Sequence, residues 1–460
     1  MDVLLYSILP FAVILLGLVV IHEAGHYVTA KLLGVKVLEA GIGIPPRIWA
    51  FTWRDTEYSI NALPLGAFVR MLGEEDPSDP QSLAAQAKWK RTVIIGSGAF
   101  LNIVVAVILF SVALMVPHAQ SVGGAKIAEV APNGPAAHAG LQAGDQIKSV
   151  NGRQVKSYED ASYLIRLYQG QHIDFTVLRP DPASGSAKIV HVDDVYARWN
   201  PQPYADECGV KHDEGPTGIT VTPGGTYQVP RSAADVAKLR QQSIKDYQTY
   251  KEQTSPNAAP ACGASNFGFH AWTAAQCSGF GQQQQAEARA LKQQLFADTS
   301  QPCWTFEAPP ATEIITHSVH QNPLTAFKNG SRTSFESLIL MRNQIWSLAR
   351  GFTGSSPITG PVGIAQATGE VVHQAGWQSL ILLAASISMS LGVLNFLPIP
   401  MLDGGRLMFI FIEFIRGGRR IAPEKEALVH FVGLVAMLAL FAVVTYFDIL
   451  RIVSGGSLLR

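Results

Sequence analysis

The chain has 460 residues, 35 basic and 35 acidic, so its formal net charge is +0; it is 48% hydrophobic and only 15% charged. That balance, with no basic stripe, excludes a polyanion partner such as nucleic acid. The positive mean hydropathy reflects four uncharged stretches, residues 3–21, 92–117, 377–402 and 427–447, each as long as the roughly 18 to 20 apolar residues that cross a hydrocarbon core.

Only Asp2 precedes the first stretch, and no small-residue cleavage site follows it. A retained spanning helix is therefore expected instead of a cleaved signal peptide. This helix, residues 1–34, ends in "IHEAGHYVTA", which contains His22, Glu23 and His26. The pattern is H-E-x-x-H. Helical spacing puts His22 and His26 on one face, where both imidazoles can reach one zinc ion, with Glu23 beside them as general base. A chance pentapeptide or a pair of interface histidines would leave Glu23 unexplained, because an ionisable group at membrane depth is costly without a partner or a role.

Residues 35–75 are rich in β-formers and glycine, as in "VKVLEAGIGIPPRIWAF" and "EYSINALPLGAFVRM". They predict short strands, in a hairpin lying against the membrane domain. Residues 90–117 predict the second spanning helix, with Asn102 inside it. Lys and Arg crowd residues 31–91 and 406–425. Both segments are therefore expected to be cytoplasmic, with the two termini and residues 118–376 outside.

Residues 121–199 read as strand, turn, short helix, strand, an Asn151-Gly152 hairpin, helix and strand. Through Pro135-Ala136, "AGLQAGD" and "VNG" this stretch resembles a bacterial PDZ domain, an α+β fold that can take peptide C-termini. Residues 200–310 differ, being rich in Pro, Gly, Gln and Ala. They hold all four cysteines, Cys208, Cys262, Cys277 and Cys303. An even count outside the cell suggests two disulfides with three possible pairings; a zinc site or free buried thiols are the alternatives. "GQQQQAEARALKQQLF" predicts a polar helix. Residues 323–376 predict an amphipathic helix, suited to the membrane interface or to a protein neighbour, followed by the Gly360–Gly363 "GPVG" segment.

A zinc hydrolase needs a third protein ligand and an open position. Asp403 is the charge that ends the third uncharged run, in "NFLPIPMLDGGRL". Prolines 398 and 400 and glycines 404 and 405 would break a helix there. Irregular backbone at that depth must be buried in protein or line a wet cavity. A carboxylate there could complete the set. Residues 377–405 are accordingly expected as the third spanning helix, and 427–450 as the fourth.

These segments together resemble the site-2 protease family of intramembrane zinc metalloproteases, in its bacterial PDZ-containing branch. The matching motifs are "HEAGH", "GIGIPPRIWAF", "ALPLGAFVRMLGE", "GAFLN", "GPVGIAQ" and "NFLPIPMLDGGRL". One departure is Ala99, which stands where the family's second-helix motif usually has proline. The resemblance implies a multi-pass α-helical membrane protein of four transmembrane helices, with a cytoplasmic membrane-associated β-hairpin region and an extracytoplasmic PDZ (α+β) domain. It implies zinc held by His22, His26 and Asp403, Glu23 as base, and Asn102 and Asn395 supporting substrate or transition state. The implied partners are the lipid bilayer and transmembrane protein substrates, cut near the cytoplasmic face of an inner or plasma membrane. The alternatives are an inactive PDZ-bearing scaffold, which would need neither Glu23 nor Asp403, and a metal transporter, for which the other helices offer too few polar residues.

Overall fold

The computed structural model describes residues 4–453 apart from 75, 182–185, 206–210, 213, 230, 254–263, 298, 309–310 and 351–359. The chain forms two units: Met1–His118 with Ser318–Met341 and Thr353–Arg460, and Ala119–His317 with Arg342–Phe352.

Among the described residues, four helices of the first unit are long and apolar enough to cross a membrane: Leu5–Leu32, Lys88–Met115, Ser379–Phe396 and Glu424–Val453. With the sheet between the first two, they make this a membrane protein with a β region. The first contains α1 (Leu9–Leu32), entered through a wider-wound turn at Leu4–Ile8. Next come the strands β1 (Val37–Trp53) and β2 (Thr56–Met71), longer than the sequence pattern suggests because each folds back on the other. Ala40 pairs with both Tyr58 and Val69, and Gly41 with both Ser59 and Phe68. The first half of β1 is thus enclosed, and residues 67–71 of β2 lie on one flank. Arg54 and Asp55 turn the hairpin with φ of 48° and 61°, the left-handed pair that a two-residue hairpin turn requires.

Helix α2 (Lys88–Met115) is the hub of this unit. A Cβ on Gly25 of α1 would stand 2.7 Å from the Ser97 carbonyl oxygen, so the two backbones are in direct contact. On another side of α2, Ala106 and Phe110 pack with Ala385 and Met389, and the Ser388 hydroxyl donates to the Asn102 carbonyl at 2.7 Å. Small residues and hydroxyl bonds are what hold helices together where lipid removes the hydrophobic drive.

The second unit is built on a sheet of β3 (Ala125–Val130), β4 (Gln146–Val150), β5 (His172–Pro180), β6 (Ala187–Tyr196) and β7 (Ile219–Pro223), in the order β7–β3–β4–β5–β6, with residues 153–154 hairpinned onto β4. Two helices lie in its connections. The short α3 (Pro135–Ala139) opens on proline and closes on Gly140 at φ 90°, the usual proline-first, glycine-last punctuation. Helix α4 (Tyr158–Leu167) starts with a capping box from Ser157 and Asp160. Asp145, fully buried, is held by the Arg179 guanidinium at 2.8 and 2.7 Å.

Beyond this sheet come α5 (Ala233–Gln253), β8 (Phe269–Trp272), α6 (Ala274–Ser278), α7 (Gln282–Leu295) and β9 (Cys303–Phe306). Tyr247 of α5, Phe269 of β8, Leu291 of α7 and Trp304 of β9 pack with Phe296 in one cluster. Cys277 and Cys303 form a disulfide with Cα atoms 6.5 Å apart; Cys208 and Cys262 lie outside the described residues. Helix α7 occupies the glutamine-rich stretch. Helix α8 (Pro323–Ala349) exposes Phe335, Ile345 and Trp346. The "GPVG" segment opens a helix that no spacing pattern announced, α9 (Pro361–Ala375). Its Gly363 N–H donates to the buried Asp448 carboxylate at 2.8 Å. Gly360 is needed because a Cβ there would stand 2.9 Å from the same oxygen.

The expected third spanning helix over residues 377–405 is corrected to two helices, α10 (Ser379–Phe396) and α11 (Asp403–Ile415). Leu397, preceding Pro398, is forced out of helical geometry to ψ 145°. Asp403 therefore starts a helix instead of ending one. Two close contacts fold the connection: Cβ atoms on Gly404 and Gly405 would fall 1.9 and 2.5 Å from the carbonyl oxygens of Leu397 and Ile399. The last helix among the described residues is α12 (Pro423–Val453).

Replacing Arg179 with methionine would leave Asp145 buried without its cation, at a cost of about 3 kcal/mol. Hydrogen exchange in β3, β4 and β5 should quicken accordingly, and unchanged protection there would contradict this.

Candidate metal centre

The centre is assembled from α1, α2 and α11. One helical turn separates His22 from His26, and their Nε2 atoms are 3.2 Å apart. Asp403 Oδ2, at the first residue of α11, lies 2.9 Å from His22 Nε2 and 3.2 Å from His26 Nε2. All three residues are largely buried. Ligands at roughly 2.0–2.1 Å in a tetrahedron stand about 3.3 Å from one another, so three donor atoms separated by 2.9 to 3.2 Å fit zinc. Asp403 Oδ2 is buried, and apart from the two imidazoles it meets no hydrogen-bond donor among the described residues, which leaves that oxygen to the imidazoles or to a cation.

The surroundings set the imidazole tautomers. His26 Nδ1–H donates to the Ile94 carbonyl at 2.8 Å, so the Nε2 lone pair points at Asp403. His22 Nδ1 lies 3.4 Å from the Asn102 amide. The Asn102 Oδ1 atom is buried without a hydrogen-bond partner among the described residues; with the amide turned over, that oxygen accepts the His22 Nδ1–H. Gly98 forms the wall behind both rings. A Cβ there would stand 2.5 Å from His26 Nε2 and 2.8 Å from His22 Nε2.

Glu23 occupies the adjoining face of α1. Its carboxylate comes within 4.8 Å of the histidine nitrogens, whereas Asp403 is in ion-pair contact with both. Distance therefore favours Asp403 as the third ligand and leaves Glu23 free for proton transfer. Glu23 borders a mainly apolar cavity of about 340 Å³ whose walls include Tyr27, Gly41, Tyr58, Phe68 and Val69. Burial, reinforced by the hydrogen bond with Tyr27, pushes the Tyr58 hydroxyl up to about 12, so it stays a neutral hydrogen-bonding group across physiological pH.

Of the residues singled out from sequence, the structure brings together His22, His26, Asp403, Glu23 and Asn102. For Asn395 the hydrogen bond seen is local: its amide donates back to the Leu391 carbonyl of its own helix at 3.0 Å. Sequence reasoning missed the Ile94 carbonyl, which carries no sequence signal, and the contact of Gly98 with both rings. The glycine was visible in "GAFLN", but its neighbours across the helix pair were not.

The model of peptidase family M50 matches residues 10–440. A candidate zinc metalloprotease of Agrobacterium fabrum is 25% identical, covering 97% of this chain and 96% of its own length. One of Neisseria meningitidis serogroup A is 28% identical over 98% and 100%. The zinc metalloprotease RasP of Oceanobacillus iheyensis is 22% identical over 97% and 99%.

Gly98→Ala should displace the histidine nitrogens and weaken zinc retention by at least about tenfold, the scale of errors in ligand orientation. Competition with a chromogenic chelator measures this; wild-type affinity in that variant would contradict the packing argument.

Proposed function

Because the chain belongs to peptidase family M50, the site-2 protease family, and is thereby a membrane zinc metalloprotease, we propose that it hydrolyses peptide bonds within transmembrane segments of other membrane proteins. In this reading His22, His26 and Asp403 hold the zinc. The observation that carries it is the convergence of their three donor atoms within 3.2 Å. Zinc, when bound, supplies a Lewis acid that makes water nucleophilic at neutral pH and polarises the scissile carbonyl.

The chain's own residues do the rest. Glu23 takes a proton from the attacking water as its oxygen adds to the carbonyl carbon. It returns that proton to the nitrogen as the C–N bond breaks, leaving a carboxylate and an amine. Asn102 orients His22. A substrate helix has its carbonyls bonded internally and must be unwound before attack. The flank of β2 at residues 67–71 offers the unwound segment a strand partner, and Val69, on that flank, lines the same cavity as Glu23. The apolar cavity beside Glu23 would take substrate side chains.

The sheet of the second unit, with its strand–helix–strand order and Asn151-Gly152 turn, supports reading residues 121–199 as a PDZ domain that filters substrates or binds new C-termini. The basic flanks of the apolar helices support a cytoplasmic hairpin and an external second unit. Membrane-bound regulators such as anti-sigma factors and signal-peptide remnants are the substrate class this layout suits.

Glu23→Gln should retain one zinc per chain and lower cleavage of a model transmembrane peptide by about 10²–10⁴-fold. Undiminished cleavage by that variant would sink the mechanism. With a single cysteine placed at Arg54 or at Gly152, an impermeant thiol reagent should label only Gly152→Cys from outside the cell; external labelling at Arg54→Cys would overturn the orientation.

A further inference from the structure

We infer that His430, on the last helix, is a positioning residue for the metal centre, acting on Asp403 through the backbone of Met401. The inference rests on the reading of Asp403 as a zinc ligand. His430 Nδ1 accepts the Met401 N–H at 2.7 Å, and its ring packs on Phe409 of α11 with centroids 5.5 Å apart. One turn further along α12, Gly433 lies against Pro400; a Cβ there would stand 2.4 Å from the proline Cβ. One face of α12 thus meets two consecutive residues of the connection that delivers Asp403.

Met401 is the reason this contact matters. Its φ is +81°, a left-handed conformation that an unbranched non-glycine residue keeps only when its surroundings hold it there. Within the connection, Ile399 N–H bonds to Leu397 and Leu402 N–H to Ile399, so those bonds are local. The bond from Met401 reaches another helix. Met401 stands two residues before Asp403, and its side chain is half exposed, so side-chain packing restrains it weakly. If the His430 acceptor is lost, Met401 can relax to negative φ and carry the start of α11 with it. A metal site tolerates ligand displacements of only about 0.5 Å.

An ordinary interhelical bond would affect stability alone, whereas a positioning bond affects zinc affinity. The test compares wild type, His430→Phe, His430→Asn and Met401→Gly/His430→Phe as full-length proteins in detergent. Zinc affinity is measured by chelator competition, and thermal unfolding is followed in parallel. Phenylalanine keeps the ring on Phe409 but offers no acceptor; asparagine restores an acceptor at the δ position. His430→Phe should lose zinc affinity by about tenfold. His430→Asn should stay near wild type, and glycine at 401, which adopts positive φ without strain, should recover part of the loss. Wild-type affinity in His430→Phe, or equal loss in the phenylalanine and asparagine variants, would overturn the proposal. If His430→Phe cannot be recovered folded, the asparagine and double variants still decide the matter. Failure of wild type to bind zinc, or binding that survives His22→Ala, would instead overturn the site reading itself.

Discussion

The backbone contact between α1 and α2 is the constraint on which the site depends. Gly25 presses on Ser97 and Gly98, and Gly98 lies directly behind His22 and His26. Any side chain at either glycine would hold the two helices apart. The Ile94 carbonyl could then no longer accept from His26, nor Asn102 meet His22. In lipid, where apolar side chains gain little from leaving their solvent, such glycine contacts and buried polar bonds carry much of the association. The same close approach that packs the helices also fixes the imidazole tautomers.

From this contact the rest of the first unit follows outward. Helix α2 receives α10 on another side through Ser388 and Asn102, and the ion pair from Arg91 to Glu413 ties it to α11. Both residues of that pair are buried, so the pair is costly to break once made. Helix α11 is thereby anchored at Glu413, near its far end, while its first residue, Asp403, meets the histidines. The connection before it is short, proline-bearing and strained at Met401, and it is braced from α12. A carboxylate on a helix start has the advantage of a stiff support, and its position is set by how the preceding turn closes.

Much of this was legible in the residues themselves. H-E-x-x-H states its own geometry, because a helix leaves i and i+4 no choice but to share a face. The long uncharged runs announce spanning helices through their length alone. Asp403 stood out as the charge that ends such a run beside prolines and glycines. Less legible was the helix that Asp403 begins, because residues 377–402 carry no charge to mark where one helix stops and another starts. The backbone before Pro398 makes that decision. Asn102 and Asn395 looked equivalent as polar residues in apolar helices, yet one meets His22 and the other bonds to its own helix. Helix α9 was hidden because its start is capped by Asp448, more than eighty residues away.

The sequence by itself determined the chemistry: two imidazoles on one helical face with a carboxylate on the adjoining one, a second carboxylate at the end of a distant apolar run, and segments that water cannot solvate. Those properties are local, set by residue type and spacing. The tertiary structure decided which carboxylate meets the imidazoles, which asparagine supports them and which nitrogen of each ring is left with a lone pair. These depend on distances of about 3 Å between atoms remote in the chain. Such distances arise only when glycine-lined helices pack together, and no spacing along the sequence encodes them.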